Sequence, residues 1–214
     1  MPRLLLILVV VFLYILKGNY PIIFYPFELL VTGVHEICHG IAAIATGGSI
    51  TSIDFQSNLG VTYTKGGFYP IISMAGYVGS SLIGTALLIS HRNFIVRLLL
   101  VIFFSITLLL SIYYTNKLSF YGLLFIAEII LLNAGFFYIK NINLITFFMS
   151  AIFVFEFVED MQMLLFFDKY TDSYLLASYL GLPWLSFPIS LLYAIMSVYI
   201  WYRGLMYLKK DLAY

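Results

Sequence analysis

The amino-acid sequence predicts an all-α integral membrane protein, a single domain over residues 1–214, with six or seven transmembrane helices and a short membrane-associated β-hairpin. Three observations carry this. Hydrophobic residues make up 63% of the chain and charged residues 10%, at a mean hydropathy of +1.02, whereas a soluble domain carries roughly 25% charged residues. Apolar runs recur at about the 20-residue length that a spanning helix needs. The connections between those runs are short and leave no room for a soluble domain. A net charge of +1 gives no electrostatic basis for binding nucleic acid. The lone Cys38 excludes an internal disulfide.

The first apolar run, about 4–16, is short and follows Arg3. Ile15-Leu16-Lys17-Gly18-Asn19 offers no small-x-small cleavage site, so this run is expected to stay as an anchor. The second, 22–46, stops at Gly47-Gly48, a helix C-cap signal. Two β-branched, alternating runs follow, Ser49–Gln56 and Val61–Thr64, around Ser57-Asn58-Leu59-Gly60, and predict the hairpin. The edge of such a hairpin suits an extended peptide added as a strand. The third run, 69–90, carries Gly76, Gly79 and Gly84, a small-residue face for close packing against the second. Runs at 94–114, 119–139, 144–167 and 184–207 complete the bundle. With seven helices, the distribution of Lys and Arg among the loops favours an outside N-terminus; with an inside N-terminus it favours one helix fewer.

Charge is distributed unevenly. All eleven Lys and Arg residues lie near run ends or in loops, but six of the ten carboxylates lie within runs: Glu28, Glu36, Glu128, Glu156, Glu159 and Asp160. Long basic side chains snorkel to headgroups and short carboxylates cannot. Acids buried without bases call for protons, water or a metal cation, and a bound Zn²⁺ would supply that charge.

The chemistry concentrates at His35-Glu36-Ile37-Cys38-His39, an H-E-x-x-H motif in the second run. On a helix, i and i+4 share a face, so His35 and His39 can reach one Zn²⁺. Glu36 then stands beside them to take a proton from a water on that metal. Ionisable groups in hydrocarbon cost roughly 2.5–3.5 kcal/mol each on insertion scales, which argues for use rather than accident. Of the other polar residues, Cys38 reads as a packing residue and His91 as solvated. Glu28 reads as interfacial next to Pro26, and Glu128 with Asn133 as an interhelical hydrogen-bonding pair.

A catalytic zinc takes three protein ligands. The candidate third lies in Glu156-Phe157-Val158-Glu159-Asp160, where three carboxylates crowd one side of a helix. Asp160 is the expected ligand and Glu156 the alternative, with Glu159 one position off. The competing reading places the cluster at a water-facing helix end, since Gln162 and Asp168 follow.

Val34-His35-Glu36-Ile37-Cys38-His39-Gly40-Ile41-Ala42-Ala43, then Gly47-Gly48, the hairpin and Pro70 with the glycine-rich run, resemble the site-2 protease class of intramembrane zinc metallopeptidases. Within that class the likeness is to the small bacterial and plant M50B-like members. Glu156–Asp160, Thr171-Asp172-Ser173 and Leu182-Pro183 resemble the same group more loosely. The resemblance implies cleavage of substrate transmembrane segments, with two His and one Asp on zinc and the motif Glu as general base. The class usually supplies its Asp from a Leu-Asp-Gly motif, which this chain lacks, so Asp160 carries over by position and acidic context alone.

The expectation is a multi-pass protein of the cell membrane, acting as a zinc metalloendopeptidase on a membrane-protein substrate helix within the lipid bilayer. The rival expectations are a non-catalytic membrane chaperone or regulator retaining the fold and, less favoured, a metal transporter.

Overall fold

The structure is a computed structural model and describes residues 2–56, 59–90, 92–116, 119–139, 142–165 and 171–210. His91 and Asp168 lie outside the described residues, as does the Ser57-Asn58 turn. Among the described residues, eight α-helices and two strands follow in the order α1 (Pro2–Asn19), α2 (Pro21–Ala45), β1 (Ser49–Gln56), β2 (Leu59–Lys65), α3 (Tyr69–Ile89), α4 (Phe94–Tyr114), α5 (Phe120–Tyr138), α6 (Asn143–Leu165), α7 (Asp172–Tyr179) and α8 (Ser186–Lys210). A single 3-10 turn, Pro183–Leu185, leads into α8. Among the described residues five helices are long and apolar enough to cross a membrane: those covering Ile22–Ala45, Tyr69–Ile89, Phe94–Tyr114, Phe120–Tyr138 and Pro183–Leu208. The apolar part of α1, Leu5–Asn19, is shorter, and α6 carries Glu156, Glu159 and Asp160. The protein is a multi-pass, all-α membrane protein with a small hairpin.

Helix α2 is the central element, with 72% of its apolar window buried against 22% for α4. Leu29, Val34, Ile37 and Ala43 are sealed on its faces. Its end is set by Gly47, whose φ of +86° is a left-handed conformation. Gly47 N–H bonds the Ile44 carbonyl and Gly48 N–H the Ala43 carbonyl, closing a Schellman motif that only a residue without Cβ enters cheaply. Thr46 Oγ1 accepts from Phe68 N at 3.0 Å, tying the end of α2 to the start of α3 across the hairpin.

The hairpin is antiparallel, from Ser49↔Lys65 to Gln56↔Leu59. β1 turns Ile50, Ile53 and Phe55 into the core, with the Phe55 ring 5.0 Å from Phe125 of α5. β2 leaves Leu59, Val61 and Tyr63 exposed and turns Gly60, Thr62 and Thr64 towards α2 and α3, into a cavity. The face formed by Leu59, Val61 and Tyr63 is mixed, because Asp54 and Ser52 of β1 pair with Val61 and Tyr63 on the same side.

Helix α7 was not foreseen in the sequence. Thr171 caps it, accepting from Tyr174 N at 3.4 Å, with Asp172 in the first turn. Gly181, at φ +72°, ends it. The short helix is tied to α8 through Ser173 and Ser190, whose hydroxyls lie 2.7 Å apart.

The carboxylates of α6 also depart from expectation. Lys17, at the end of α1, reaches inward to Glu28 of α2 (2.6 Å), to Glu156 (3.7 Å) and to Glu159. Glu28 is therefore a buried ion-pair partner, and a lysine supplies positive charge to this cluster. Glu128 differs as well. Both of its oxygens are buried without a hydrogen-bond partner, while Asn133 donates to Ile129 O of its own helix and accepts from Ser105 Oγ of α4 at 3.5 Å, an interhelical bond as expected but without Glu128.

Removing one partner from a buried ion-pair cluster leaves the others uncompensated. Lys17→Ala is expected to lower stability in detergent by about 3 kcal/mol, with part recovered by adding Glu28→Gln and Glu159→Gln. Thermal unfolding of the purified variants measures this. Melting at the parent temperature would show that the cluster does not hold α1 to the bundle.

Candidate metal centre

The site is built on one face of α2. His35 and His39, one turn apart, bring their rings to 4.7 Å between centroids at 80°. The third group comes from α7. Asp172 Oδ2 lies 3.1 Å from His35 Nε2 and 3.2 Å from His39 Nε2. These ligand atoms all fall within 4.8 Å of one another. The carboxylate that meets both imidazoles is thus Asp172 and not Asp160. Glu156 and Glu159 form a different group with Glu28, around Lys17. Asp160 lines the wall of a cavity beside His35 and Glu36 without joining either group. The physical reason is connectivity. Helix α6 presents Glu156 and Glu159 towards α1, where an ammonium takes them up, and a separate short helix delivers a carboxylate at its first turn. The signal that could have found Asp172 is Thr171-Asp172-Ser173, an N-cap followed by a first-turn acid.

Packing from α3 fixes the site. His39 Nδ1 donates to the Ile72 carbonyl at 2.6 Å, which leaves Nε2 as the nitrogen turned to Asp172 and available to a metal. Gly76 lies against both rings, and a Cβ there would stand 2.6 Å from His39 Nε2 and strike His35 as well. Tyr77 sets its ring edge-on to His35, 4.7 Å between centroids. Cys38 is a buried packing residue facing Gly79.

Glu36 is buried at 7% exposure. Its carbonyl accepts from Thr62 Oγ1 at 2.9 Å, and its side chain lies against Gly60, where a Cβ would stand 2.6 Å from Glu36 Cγ. With His35, His39 and Asp172 it lines a cavity of about 210 Å³ walled by β2 and α3. A neighbouring cavity of about 240 Å³, reached past His35, Glu36 and Gly60, holds the Lys17 cluster and Asp160.

The residues fit a zinc ion. Donors at about 2.1 Å from a tetrahedral ion sit roughly 3.3–3.4 Å apart, close to the 3.1 and 3.2 Å seen here. With Nδ1 committed to Ile72, His39 Nε2 faces a carboxylate oxygen, and either a proton or a metal cation between the two atoms satisfies that arrangement. At Asp172, outside the spanning helices, burial pushes the carboxyl up. The charge and hydrogen bonds of His39 and His35 outweigh that and hold it well below the usual carboxylate range.

Searches of curated proteins and of solved structures return no match to the chain. A family model, Peptidase M50B-like, matches residues 4–204. With nearly the whole chain covered by that match and an H-E-x-x-H helix at its centre, the protein belongs to the Peptidase M50B-like family.

Proposed function

We propose that this protein is an intramembrane zinc metalloendopeptidase of the cell membrane, hydrolysing peptide bonds in or near transmembrane segments of membrane-protein substrates. The observation that carries the proposal is the meeting of His35 Nε2, His39 Nε2 and Asp172 Oδ2 in a cavity that Glu36 also lines. His35, His39 and Asp172 would hold the metal, with Asp172 in the role that the sequence suggested for Asp160.

When bound, zinc polarises the scissile carbonyl and acidifies a water. Glu36 takes the proton of the attacking water on its carboxylate and returns it to the leaving amine nitrogen. The Ile72 carbonyl keeps the His39 proton on Nδ1 throughout. A helical substrate hides its amide, so it must be held extended. β2 is bonded to β1 on one side, and its Gly60, Thr62 and Thr64 line the reaction cavity. That strand offers a peptide the edge along which to lie.

Glu36→Gln is expected to keep one zinc per chain and to lower cleavage of a model transmembrane substrate by about 10²–10⁴-fold. Zinc analysis and a cleavage assay on the same preparations decide this, and persistent hydrolysis would remove Glu36 from the mechanism. Zinc retained by the parent chain with no cleavage of any substrate would favour the non-catalytic regulator.

Asp172→Asn and Asp160→Asn separate the two candidate carboxylates. The first is expected to lose zinc and the second to keep it; the reverse pattern would return the ligand to α6. Gly76→Ala favours helix by roughly 1 kcal/mol in propensity, yet its methyl meets both imidazoles. It is expected to bind zinc at least about tenfold more weakly while the helix stays intact, measured by chelator competition alongside circular dichroism.

A further inference from the structure

One turn of α3 holds two of the three groups that converge at the site. The Ile72 carbonyl accepts from His39 Nδ1 at 2.6 Å. The next residue, Ser73, donates from Oγ to the backbone carbonyl of Asp172 at 2.9 Å. A serine hydroxyl has one proton, and this one is committed to that carbonyl. The second contact of Ser73 Oγ, to Tyr193 Oη of α8 at 2.8 Å, is therefore a bond in which the tyrosine donates. The direction of the chain is fixed: Tyr193 O–H to Ser73 Oγ, and Ser73 O–H to Asp172 O. Ser73 is 3% exposed and Tyr193 2%, so water does not compete for either bond.

We propose that Ser73 and Tyr193 are positioning residues that act in series to set Asp172 over the two imidazoles; this rests on the reading of His35, His39 and Asp172 as zinc ligands. α7 has eight residues, too few to hold its own geometry without tertiary contacts. The Ser173–Ser190 contact ties it to α8 but not to the histidines. Ser73 supplies the missing link. It fastens the Asp172 backbone to the residue adjoining the one that orients His39, so the distance between the two ligands is set by a single helical turn. Tyr193 fills the acceptor side of that hydroxyl, so that Ser73 points its proton at Asp172 and not elsewhere.

The experiment uses the full chain in detergent, with zinc affinity read by competition against a chromophoric chelator. The visible absorption of the Co²⁺-substituted protein reports ligand geometry. Tyr193→Phe removes one oxygen and keeps the ring that packs 6.2 Å from Tyr77, so it preserves the fold. Ser73→Ala is the partner variant. Ser111→Ala deletes a buried hydroxyl bonded within α4 and serves as the control.

Each site variant is expected to weaken zinc binding by about 10- to 100-fold and to alter the Co²⁺ spectrum, with the control unchanged. Because Tyr193 acts through Ser73, the double variant is expected to bind zinc no more weakly than Ser73→Ala. Parent-like affinity and spectrum in Tyr193→Phe and Ser73→Ala would overturn the proposal while leaving the zinc site standing. Multiplied losses in the double variant would overturn the series arrangement. Absence of zinc from the parent chain would overturn this proposal together with the reading on which it rests.

Discussion

Two ring nitrogens lie 3.1 and 3.2 Å from one carboxylate oxygen inside a protein that is 63% hydrophobic, and much of the surrounding structure follows from that crowding. His39 gives the proton of Nδ1 to Ile72, so Nε2 meets Asp172 as one acceptor facing another. In a low dielectric that contact is unfavourable until a proton or a metal cation lies between the atoms. Keeping the groups together therefore requires a stiff frame. α2 is the most enclosed of the apolar helices, Gly76 lets the α3 backbone come up against both rings, and α7 is tied down from α3 and α8.

A second charge cluster lies next to the first, with a lysine of its own. Glu28, Glu156 and Glu159 could together hold a cation, and left free they would compete with Asp172 for any metal arriving at the histidines. Lys17 pairs with all three. The Phe155 ring, 5.1 Å from the ammonium, closes the pocket from the apolar side. One lysine from α1 thus ties up Glu156 and Glu159 of α6 together with Glu28. The candidate metal centre would draw its carboxylate from α7, where Asp172 is the one charged residue.

The helices and the hairpin were legible in the sequence because local signals and tertiary context agree there. Apolar runs of spanning length became α2 to α5 and α8, the Gly47-Gly48 stop became a left-handed cap, and β-branched alternation became β1 and β2. His35, Glu36 and His39 were legible because helical spacing alone puts the two imidazoles on one face. The third carboxylate was not. Asp160 stood out by the density of acids around it, yet that density marks the cluster that Lys17 answers. Asp172 is an isolated acid in an eight-residue helix with almost no amphipathic signal. Its place depends on long-range contacts with residues about 100 positions away in the chain, which no local pattern encodes. Lys17 was misread for a related reason. A lysine at the end of an apolar run ordinarily snorkels outward, and only the position of α1 beside α6 turns it inward.

The hairpin and the proposed general base form one mechanical unit. Thr62 bonds the Glu36 carbonyl, and Gly60 leaves room for the Glu36 side chain to lie against the strand backbone. Any side chain at position 60 would displace the carboxylate that the chemistry needs. The same residues form the cavity wall along which, in the proposed function, an extended peptide would lie. A substrate paired with β2 would be placed in register with Glu36, because the strand that holds the peptide also holds the base. Cleavage would then demand a locally unwound segment, since a helical one has no free backbone groups to offer β2. Discrimination between packed and unwound transmembrane segments would arise from the hairpin itself, before any contact with the histidines.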